Sequence, residues 1–104
     1  MAPVLLTTAE RDEYLTPLLM KGYQITEDRD SIEKEYFFSN FKDCFEFMKA
    51  IAAKAEELQH HPEWFNVYNR LRITWSTHDC QGLSISDVEM AEYCEIIYNK
   101  YAVV

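Results

Sequence analysis

The sequence predicts an α+β fold in which three helices pack on one face of a four-stranded antiparallel sheet. The first observation is the order of apolar periods along the chain, which runs helix, two strands, helix, two strands, helix. The second is that a short polar turn joins the strands of each pair, which is typical of antiparallel neighbours. The third is that 104 residues, 48% of them hydrophobic, suffice for one core, so we predict a single domain over 1–104.

The first helix is predicted over 8–20. Thr7 and Glu10 have the spacing of a capping box, and leucines follow at helical intervals. We expect Pro17 to kink or split this helix, because proline lacks the N–H that a helix interior needs. Gly22 is expected to end the segment, since glycine readily adopts the conformation found after helices.

Residues 23–38 predict two strands with a turn at 28–30. The apolar alternation is clean only at the end of the second strand. Alternate residues of a strand point to opposite faces. One face would carry Ile32, Lys34, Tyr36 and Phe38, and the other Glu33, Glu35 and Phe37.

The second helix is predicted over 41–58, with Asn40 as N-cap and Asp43 three residues later. At 100° per residue its apolar side chains span an arc of about 160°, more than the roughly 100° that a surface helix needs. The excess, with Phe47 at one margin, predicts that this helix also contacts a partner subunit.

The period changes to two after Pro62, and we predict a pair of strands over 64–77 that turns near 69–70. The last helix is predicted over 84–100, just after a glycine. Two pairs at capping-box spacing are candidates for its start. These pairs are Ser84 with Asp87 and Ser86 with Glu89.

Charge and cysteine content exclude several classes of protein. The net charge of −8 repels phosphate backbones, so no direct binding of nucleic acid is expected. Three cysteines without a C-x-x-C pair indicate a reducing compartment rather than a disulfide framework. The first residues lack the basic region of a signal peptide, and no apolar run approaches the roughly 20 residues of a membrane span.

Three histidines are the candidate catalytic residues. His60 and His61 precede Pro62, which disfavours helical backbone before it, so the second helix is expected to end there. His78 follows the last predicted strand, in phase with its polar face. Imidazole titrates near neutrality, so the cluster could supply both an acid and a base. The alternative is that all three are polar loop residues, which is the commoner role of a single histidine.

A metal site is the competing interpretation. His78 and Cys80 could bind a metal from one side, with His60 or His61 added. The spacing lacks a second cysteine pair, and adjacent histidines rarely both reach one metal, so we favour a site without metal.

Two carboxylates stand out by their position. Asp87 falls in the middle of the apolar arc of the last helix, where a carboxylate is costly unless it is hydrogen-bonded or functional. It could equally serve only as a cap with Ser84. Glu56 lies near the edge of the apolar arc of the second helix, four residues before His60. It is therefore better placed than Glu57 to support the histidines.

The stretch from Glu56 to Arg70 closely resembles the signature of the pterin-4a-carbinolamine dehydratase family. That pattern has a glutamate, then HHPEW four residues later, NVYN, a T-H pair and G-L-[ST]-x-x-D. The matching residues are Glu56, His60 to Trp64, Asn66 to Asn69, Thr77, His78, Gly82, Leu83, Ser84 and Asp87. The lead-in over 7–55 also agrees with the family, so the resemblance covers nearly the whole chain.

The resemblance implies dehydration of a 4a-hydroxytetrahydropterin to quinonoid dihydropterin and water, in support of tetrahydrobiopterin recycling. It implies that His60 and His78 act as an acid/base pair and that His61 binds and orients the pterin. Glu56 and Asp87 would be the supporting carboxylates of the substrate-binding site. No metal or other cofactor is implied. The family is typically a homotetramer, built as a dimer of dimers, in the cytoplasm or nucleus.

One position departs from the family pattern. The family often has Asp or Asn before the histidine pair, and this chain has Gln59, which is longer and cannot carry charge.

A second role is also known in the family. Some animal relatives bind a homeodomain transcription factor and stabilise its dimer. The alternative function is therefore that of a protein-binding dimerisation cofactor, and the acidic charge of this chain fits a protein partner better than DNA.

Overall fold

The computed structural model describes residues 2–101, and its element order agrees with the prediction. The α-helices and strands are α1 (Thr8–Met20), β1 (Gln24–Ile25), β2 (Ile32–Phe37), α2 (Phe41–Leu58), β3 (Glu63–Val67), β4 (Arg70–Trp75) and α3 (Ile85–Tyr98). Short 3-10 helices cover His78–Cys80 and Asn99–Tyr101. Within the described residues, no helix is long and apolar enough to cross a membrane.

The four strands form one antiparallel sheet in the order β1-β2-β4-β3. Ile32 lies opposite Trp75 across β2 and β4, and Trp64 lies opposite Ile73 across β3 and β4. One face of the sheet is buried with residues of the helices in a single hydrophobic core, while the other face carries exposed side chains such as Phe65. The predicted α+β fold, with helices on one face of the sheet, is confirmed.

Helix α1 begins with the predicted capping box. Thr7 Oγ1 accepts a hydrogen bond from Glu10 N at 3.1 Å, and Glu10 Oε1 accepts one from Thr7 N at 2.8 Å. The prediction that Pro17 splits the helix is wrong, because the helix runs unbroken from Thr8 to Met20. Pro17 lies on the exposed side, while Leu15 and Leu18 on either side of it are anchored in the core.

The predicted stop at Gly22 is confirmed. Gly22 has φ of 109°, which a residue with a side chain rarely adopts. Its N–H donates to Leu19 O at 3.1 Å, and the N–H of Tyr23 donates to Leu18 O at 3.0 Å. These two bonds satisfy the last carbonyl groups of α1 and turn the chain toward β1.

Helix α2 has the predicted bounds, and Asn40 Oδ1 caps it by accepting from Asp43 N at 2.8 Å. The prediction that Phe47 contacts a partner subunit is wrong, because this ring is fully buried within the chain. An arc drawn on a helix gives the direction of a side chain but not what covers it. The Phe47 ring packs against four aromatic rings, those of Tyr36, Phe38, Tyr98 and Tyr101.

The turn between β3 and β4 lies one residue earlier than predicted. Val67 pairs with Arg70, so the turn is formed by Tyr68 and Asn69. Tyr68 adopts a φ of 49°, and the side-chain amide of Asn66 donates to the carbonyl oxygens of Tyr68 and Arg70 at 3.2 and 2.8 Å. The two hydrogen bonds from Asn66 stabilise the turn at Tyr68 and Asn69. The polar Asn69–Arg70 pair had indicated a turn one residue later.

Helix α3 begins where predicted and ends slightly earlier. Ser84 precedes its first residue and Asp87 forms the capping box, so the first of the two candidate pairs is the one used. The helix gives way at Asn99 to a 3-10 turn instead of continuing to residue 100.

Candidate active site

The three histidines line one cleft, although 18 positions separate the first from the last. His60 and His61 follow the end of α2, and His78 begins the 3-10 helix after β4. The volume of the cleft is about 220 Å³. Its lining consists of Gln59, His60, His61, Ser76, Thr77, His78 and Asp79. The sequence prediction that the histidines lie close together at element ends is confirmed by this geometry.

The end of α2 sets the position of the adjacent histidines. Gln59 adopts a left-handed conformation, with φ of 52° and ψ of 46°. The N–H of His60 then donates back to Ala55 O at 2.9 Å, and the side-chain amide of Gln59 donates to Glu56 O at 2.6 Å. The chain leaves the helix sharply at this point, and Pro62 leads it into β3.

The left-handed conformation at position 59 explains why Asp or Asn is frequent there in the family pattern, and it does not explain the glutamine of this chain. Asparagine and aspartate adopt this conformation more readily than glutamine, because their short side chains bond locally to the backbone. Gln59 instead uses its longer side chain to satisfy a carbonyl at the end of the helix.

His60 is held on two sides. Its Nε2 lies 2.6 Å from Asp87 Oδ1, and its ring stacks on the indole of Trp75 with centroids 5.9 Å apart and planes inclined by 20°. The imidazole side chain is only 12% exposed. A carboxylate can accept a hydrogen bond from Nε2–H, so this contact fixes both the ring orientation and the nitrogen that carries the proton.

Asp87 is fully buried and uses both carboxylate oxygens. Oδ1 faces His60, while Oδ2 accepts from the hydroxyl of Thr77 at 2.7 Å and from the N–H of Ser84 at 2.9 Å. A buried carboxylate is tolerated only when its oxygens are satisfied in this way. The sequence left open whether Asp87 caps the last helix or lies near the histidines. In the structure it does both, because it caps α3 and contacts His60.

His61 contacts the other predicted carboxylate. Its Nε2 lies 2.6 Å from Glu56 Oε2, and both side chains are largely exposed to solvent. A polar contact this exposed contributes little to stability. The geometry brings Glu56 to His61 and Asp87 to His60, and Glu57 instead approaches Lys54 at 3.1 Å.

His78 is exposed at the start of its 3-10 helix. The segment that carries it is closed by paired backbone bonds, in which Thr77 N donates to Gly82 O at 2.9 Å and Gly82 N donates to Thr77 O at 3.2 Å. Cys80 directs its thiol at backbone carbonyl oxygens of the same segment.

Among residues 2–101, no group of three or more histidine, cysteine, aspartate or glutamate side chains is arranged to hold a metal ion.

Two residues of the site were not selected from the sequence. Trp75 supplies the surface on which His60 stacks, and Thr77 donates to Asp87. The strand alternation that buried Leu71, Ile73 and Trp75 continues to Thr77, which is also buried. That alternation was the signal that could have placed Thr77 on the same side as the last helix.

Comparison with known proteins gives consistent results over most of the chain. The family model described as pterin 4 alpha carbinolamine dehydratase matches residues 4–97. A pterin-4-alpha-carbinolamine dehydratase of Drosophila melanogaster is 46% identical over 96 residues, which are 92% of this chain and 50% of the relative. This chain therefore spans about half the length of that relative.

A solved structure is also similar. The crystal structure of a transcriptional coactivator/pterin dehydratase from Brucella melitensis is 39% identical and superimposes with a TM-score of 0.84. The match covers 90% of this chain and 98% of that chain.

Proposed function

The chain belongs to the pterin-4-alpha-carbinolamine dehydratase family, and we propose that it dehydrates a 4a-hydroxytetrahydropterin to quinonoid dihydropterin and water. The observation that carries the proposal is the cleft in which three histidines meet, one of them fixed by a buried carboxylate. Such a site offers acid and base groups that work near neutral pH.

The dehydration requires of the protein mainly an acid and a base that are correctly positioned for proton transfer. A nitrogen lone pair of the pterin pushes the hydroxyl from carbon 4a, and the hydroxyl leaves as water once it is protonated. The ring must then lose a proton to give the quinonoid product. One group acts as acid and a second as base, each contributing about 10²–10⁴-fold to the rate.

We assign these two roles to His60 and His78. The Nε2–H of His60 donates a hydrogen bond to Asp87 Oδ1. The Nδ1 atom of the same ring is therefore the one that can exchange a proton with the substrate. His78 is exposed on the opposite segment of the cleft, where its ring can contact a bound pterin. His61, with Glu56 behind it, binds and orients the pterin.

The size of the cleft supports a small, flat substrate. Its volume of about 220 Å³ lies below the roughly 300–1,000 Å³ of drug-sized pockets. We propose that a bicyclic pterin ring occupies this space, with its side chain directed toward solvent. The reaction would then serve tetrahydrobiopterin recycling in the cytoplasm, with the side chain having little influence on the rate.

The direct experiment is a dehydration assay on freshly generated 4a-hydroxytetrahydropterin. We expect the rate to exceed the spontaneous one in proportion to protein concentration. Dialysis against a chelator should leave it unchanged, because the proposed mechanism uses no metal. If chelation removed one zinc ion per chain and abolished the activity, the alternative of a metal site with His78 and Cys80 as ligands would be supported instead.

Single histidine variants test the division of roles. His60→Ala and His78→Ala should each lower kcat by about 10²-fold or more, as expected for loss of an acid or base. His61→Ala should chiefly raise KM, as expected for a group that binds ground and transition states alike. Steady-state kinetics of the three variants decides the matter. Normal kcat with weakened binding in His60→Ala would show that the adjacent histidines have exchanged roles.

A second candidate function comes from the similarity to the Brucella protein, which is named as a transcriptional coactivator. Under this proposal the chain also binds a homeodomain transcription factor, in the nucleus, and stabilises its dimer. A pull-down with the dimerisation segment of such a factor tests it. Retention of that segment by the histidine variants would show that the two roles use different surfaces.

We also propose that the protein is a homotetramer, built as a dimer of dimers. Support comes from apolar side chains that remain exposed on α2, notably Phe41 and Phe45.

A further inference from the structure

The segment that carries His78 has few attachments of its own. We call residues 77–82 the His78 loop. Its backbone bonds join Thr77 to Gly82 and Gln81 to His78, so they hold the loop together without tying it to the rest of the molecule. The side chain of Thr77 ties the first residue of the loop to Asp87 and Ser84. The rest of the loop is held in place through the residues that flank it, Ser76 and Leu83.

Asp30 bonds to both flanking residues. Its backbone oxygen accepts from the hydroxyl of Ser76 at 2.9 Å, and its side-chain Oδ2 accepts from the N–H of Leu83 at 3.0 Å. The approach is so close that a Cβ atom added to Gly82 would lie 2.3 Å from Oδ2. Glycine at that position thus leaves the space that the Asp30 carboxylate occupies.

Arg11 holds Asp30 in place. Its Nη1 and Nη2 donate to Oδ1 and Oδ2 at 2.7 and 2.8 Å, a paired geometry that fixes the plane of the carboxylate. The Nε of Arg11 donates to Leu6 O at 3.0 Å, and the N–H of Leu6 donates to Leu83 O at 2.9 Å. Arg11 therefore secures Leu83 by two routes, through Asp30 and through Leu6.

We propose that Arg11 and Asp30 are positioning residues that hold the His78 loop in the geometry required for catalysis. The inference rests on the proposed dehydratase function. Neither residue lines the cleft, so they act through His78 and not on the substrate. Arg11 lies in α1 and Asp30 in the β1–β2 turn, which gives these two elements a part in the reaction.

The first test is the kinetics of Asp30→Asn. Asparagine keeps the backbone oxygen and an acceptor for Leu83 N–H, but it cannot form the paired ionic contact with Arg11. We expect kcat to fall about ten-fold with little change in KM, since misplacing a catalytic group by a fraction of an ångström is costly. An unchanged kcat would overturn the proposal.

The matched control is Glu95→Gln, which breaks the 2.7 Å ion pair of Glu95 with Lys34. That pair is more buried than Arg11–Asp30 and does not line the cleft. We expect this variant to lose thermal stability and keep its kcat. Equal losses of kcat in both variants at matched loss of stability would show that Asp30 acts only through general stability, against the proposal.

The second test combines Asp30→Asn with His78→Ala. If Asp30 acts through His78, then Asp30→Asn should lower kcat no further once His78 is gone. Independent, multiplying effects would contradict the proposal.

The third test does not depend on catalysis. Hydrogen exchange at the amides of Gly82 and Leu83 should be about ten-fold faster in Asp30→Asn, while exchange at Ile51 in α2 stays unchanged. Exchange at Gly82 and Leu83 that stays at the wild-type rate would refute the anchoring itself. If the wild type had no dehydratase activity but Asp30→Asn still exchanged faster than the wild type at Gly82 and Leu83, the proposed function would be refuted. The anchoring of the loop by Asp30 would remain supported.

Discussion

Asp87 is a fully buried carboxylate of the candidate site. It lies in a helix face that otherwise enters the core, and its oxygens are satisfied by a histidine, a hydroxyl and a backbone N–H. Removing one partner of such a buried network leaves the others unpaired, at a cost of about 1–3 kcal/mol for each group. The same carboxylate therefore stabilises α3 and orients His60.

Replacing Asp87 by Asn separates these two roles. Asn still caps helices well, but its amide cannot accept equally from His60, Thr77 and Ser84. We expect kcat to fall about 10²-fold, of the order of one lost acid or base. Glu89→Gln, an exposed change on the same helix, is the control and should leave kcat unchanged. Normal turnover in Asp87→Asn would mean that Asp87 serves only as a cap.

Gln59 gives a second prediction at this scale, on stability. A left-handed residue that has a side chain costs about 1–2 kcal/mol relative to its right-handed form, and glycine avoids this cost. Gln59→Gly should therefore raise the free energy of unfolding by about 0.5–1 kcal/mol, after the loss of its bond to Glu56 O. Glu57→Gly, two residues earlier inside α2, should lower it by about 1 kcal/mol. Urea unfolding of both variants measures the difference, and changes of the same sign would contradict this explanation.

At the scale of elements, local signals predicted most of the structure. The bounds of α2 were predictable because Asn40 caps it and Pro62 follows it, and both signals lie within the helix or beside it. The place of Phe47 was not predictable, because the rings that bury it come from β2 and from the end of the chain's last helix. The Arg11–Asp30 pair was also not predictable from the sequence, because the two residues are 19 positions apart and belong to no common sequence motif.

The exposed side of α2 forms a stripe at helical intervals. Phe41 and Phe45 are almost half exposed and stack on each other, and Met48 and Ala52 continue the same line. The spacing of four, three and four residues is that of a helix-packing seam. This stripe, and not Phe47, is the surface that we expect to contact a partner subunit.

Phe45→Glu should shift the protein to a smaller species in light scattering, because a charge buried in the interface is costly. Glu46→Lys, on the side of α2 away from the stripe, is the control and should leave the mass unchanged. Phe47→Glu should instead lower the melting temperature steeply, since it places a charge in the core. A Phe45→Glu protein of wild-type mass would remove the stripe from the interface.

At the scale of the whole molecule, two arginine–carboxylate pairs join the β1–β2 turn to the segments around the cleft. Arg11 holds Asp30 beside the His78 loop, and Arg29 forms paired bonds at 2.7 Å with Glu63, two residues after His61. The turn thus braces both histidine-bearing segments. The position of this turn was predictable from the sequence, but its role was not, because that role depends on contacts between distant segments.

Low pH should weaken the two arginine–carboxylate pairs of the β1–β2 turn. Hydrogen bonds from Arg11 lower the pKa of Asp30 below its ordinary value, against a smaller opposing effect of burial. Arg29 likewise lowers the pKa of Glu63. A carboxyl group whose pKa is lowered on folding adds stability above its unfolded pKa, and that stability is lost as pH falls through the folded pKa.

The free energy of unfolding should therefore decrease as pH falls below about 4. The decrease should be smaller in Asp30→Asn than in the wild type, because the variant has no proton to take up at this position. Asp12→Asn, an exposed change beside Arg11, is the control. Urea unfolding between pH 6 and pH 3 measures the slopes. An Asp30→Asn slope equal to that of the wild type would show that the ion pair does not contribute to acid sensitivity.

We propose that histidines of one cleft carry out the dehydration. This proposal is tested by the turnover of freshly generated 4a-hydroxytetrahydropterin by the His60→Ala/His78→Ala double variant beside the wild type. Circular dichroism should confirm that the variant is folded. We predict that the wild type exceeds the spontaneous rate in proportion to its concentration and that the double variant is indistinguishable from the spontaneous rate. A folded double variant that keeps wild-type turnover, or a wild type with no turnover above the spontaneous rate, would contradict the claim.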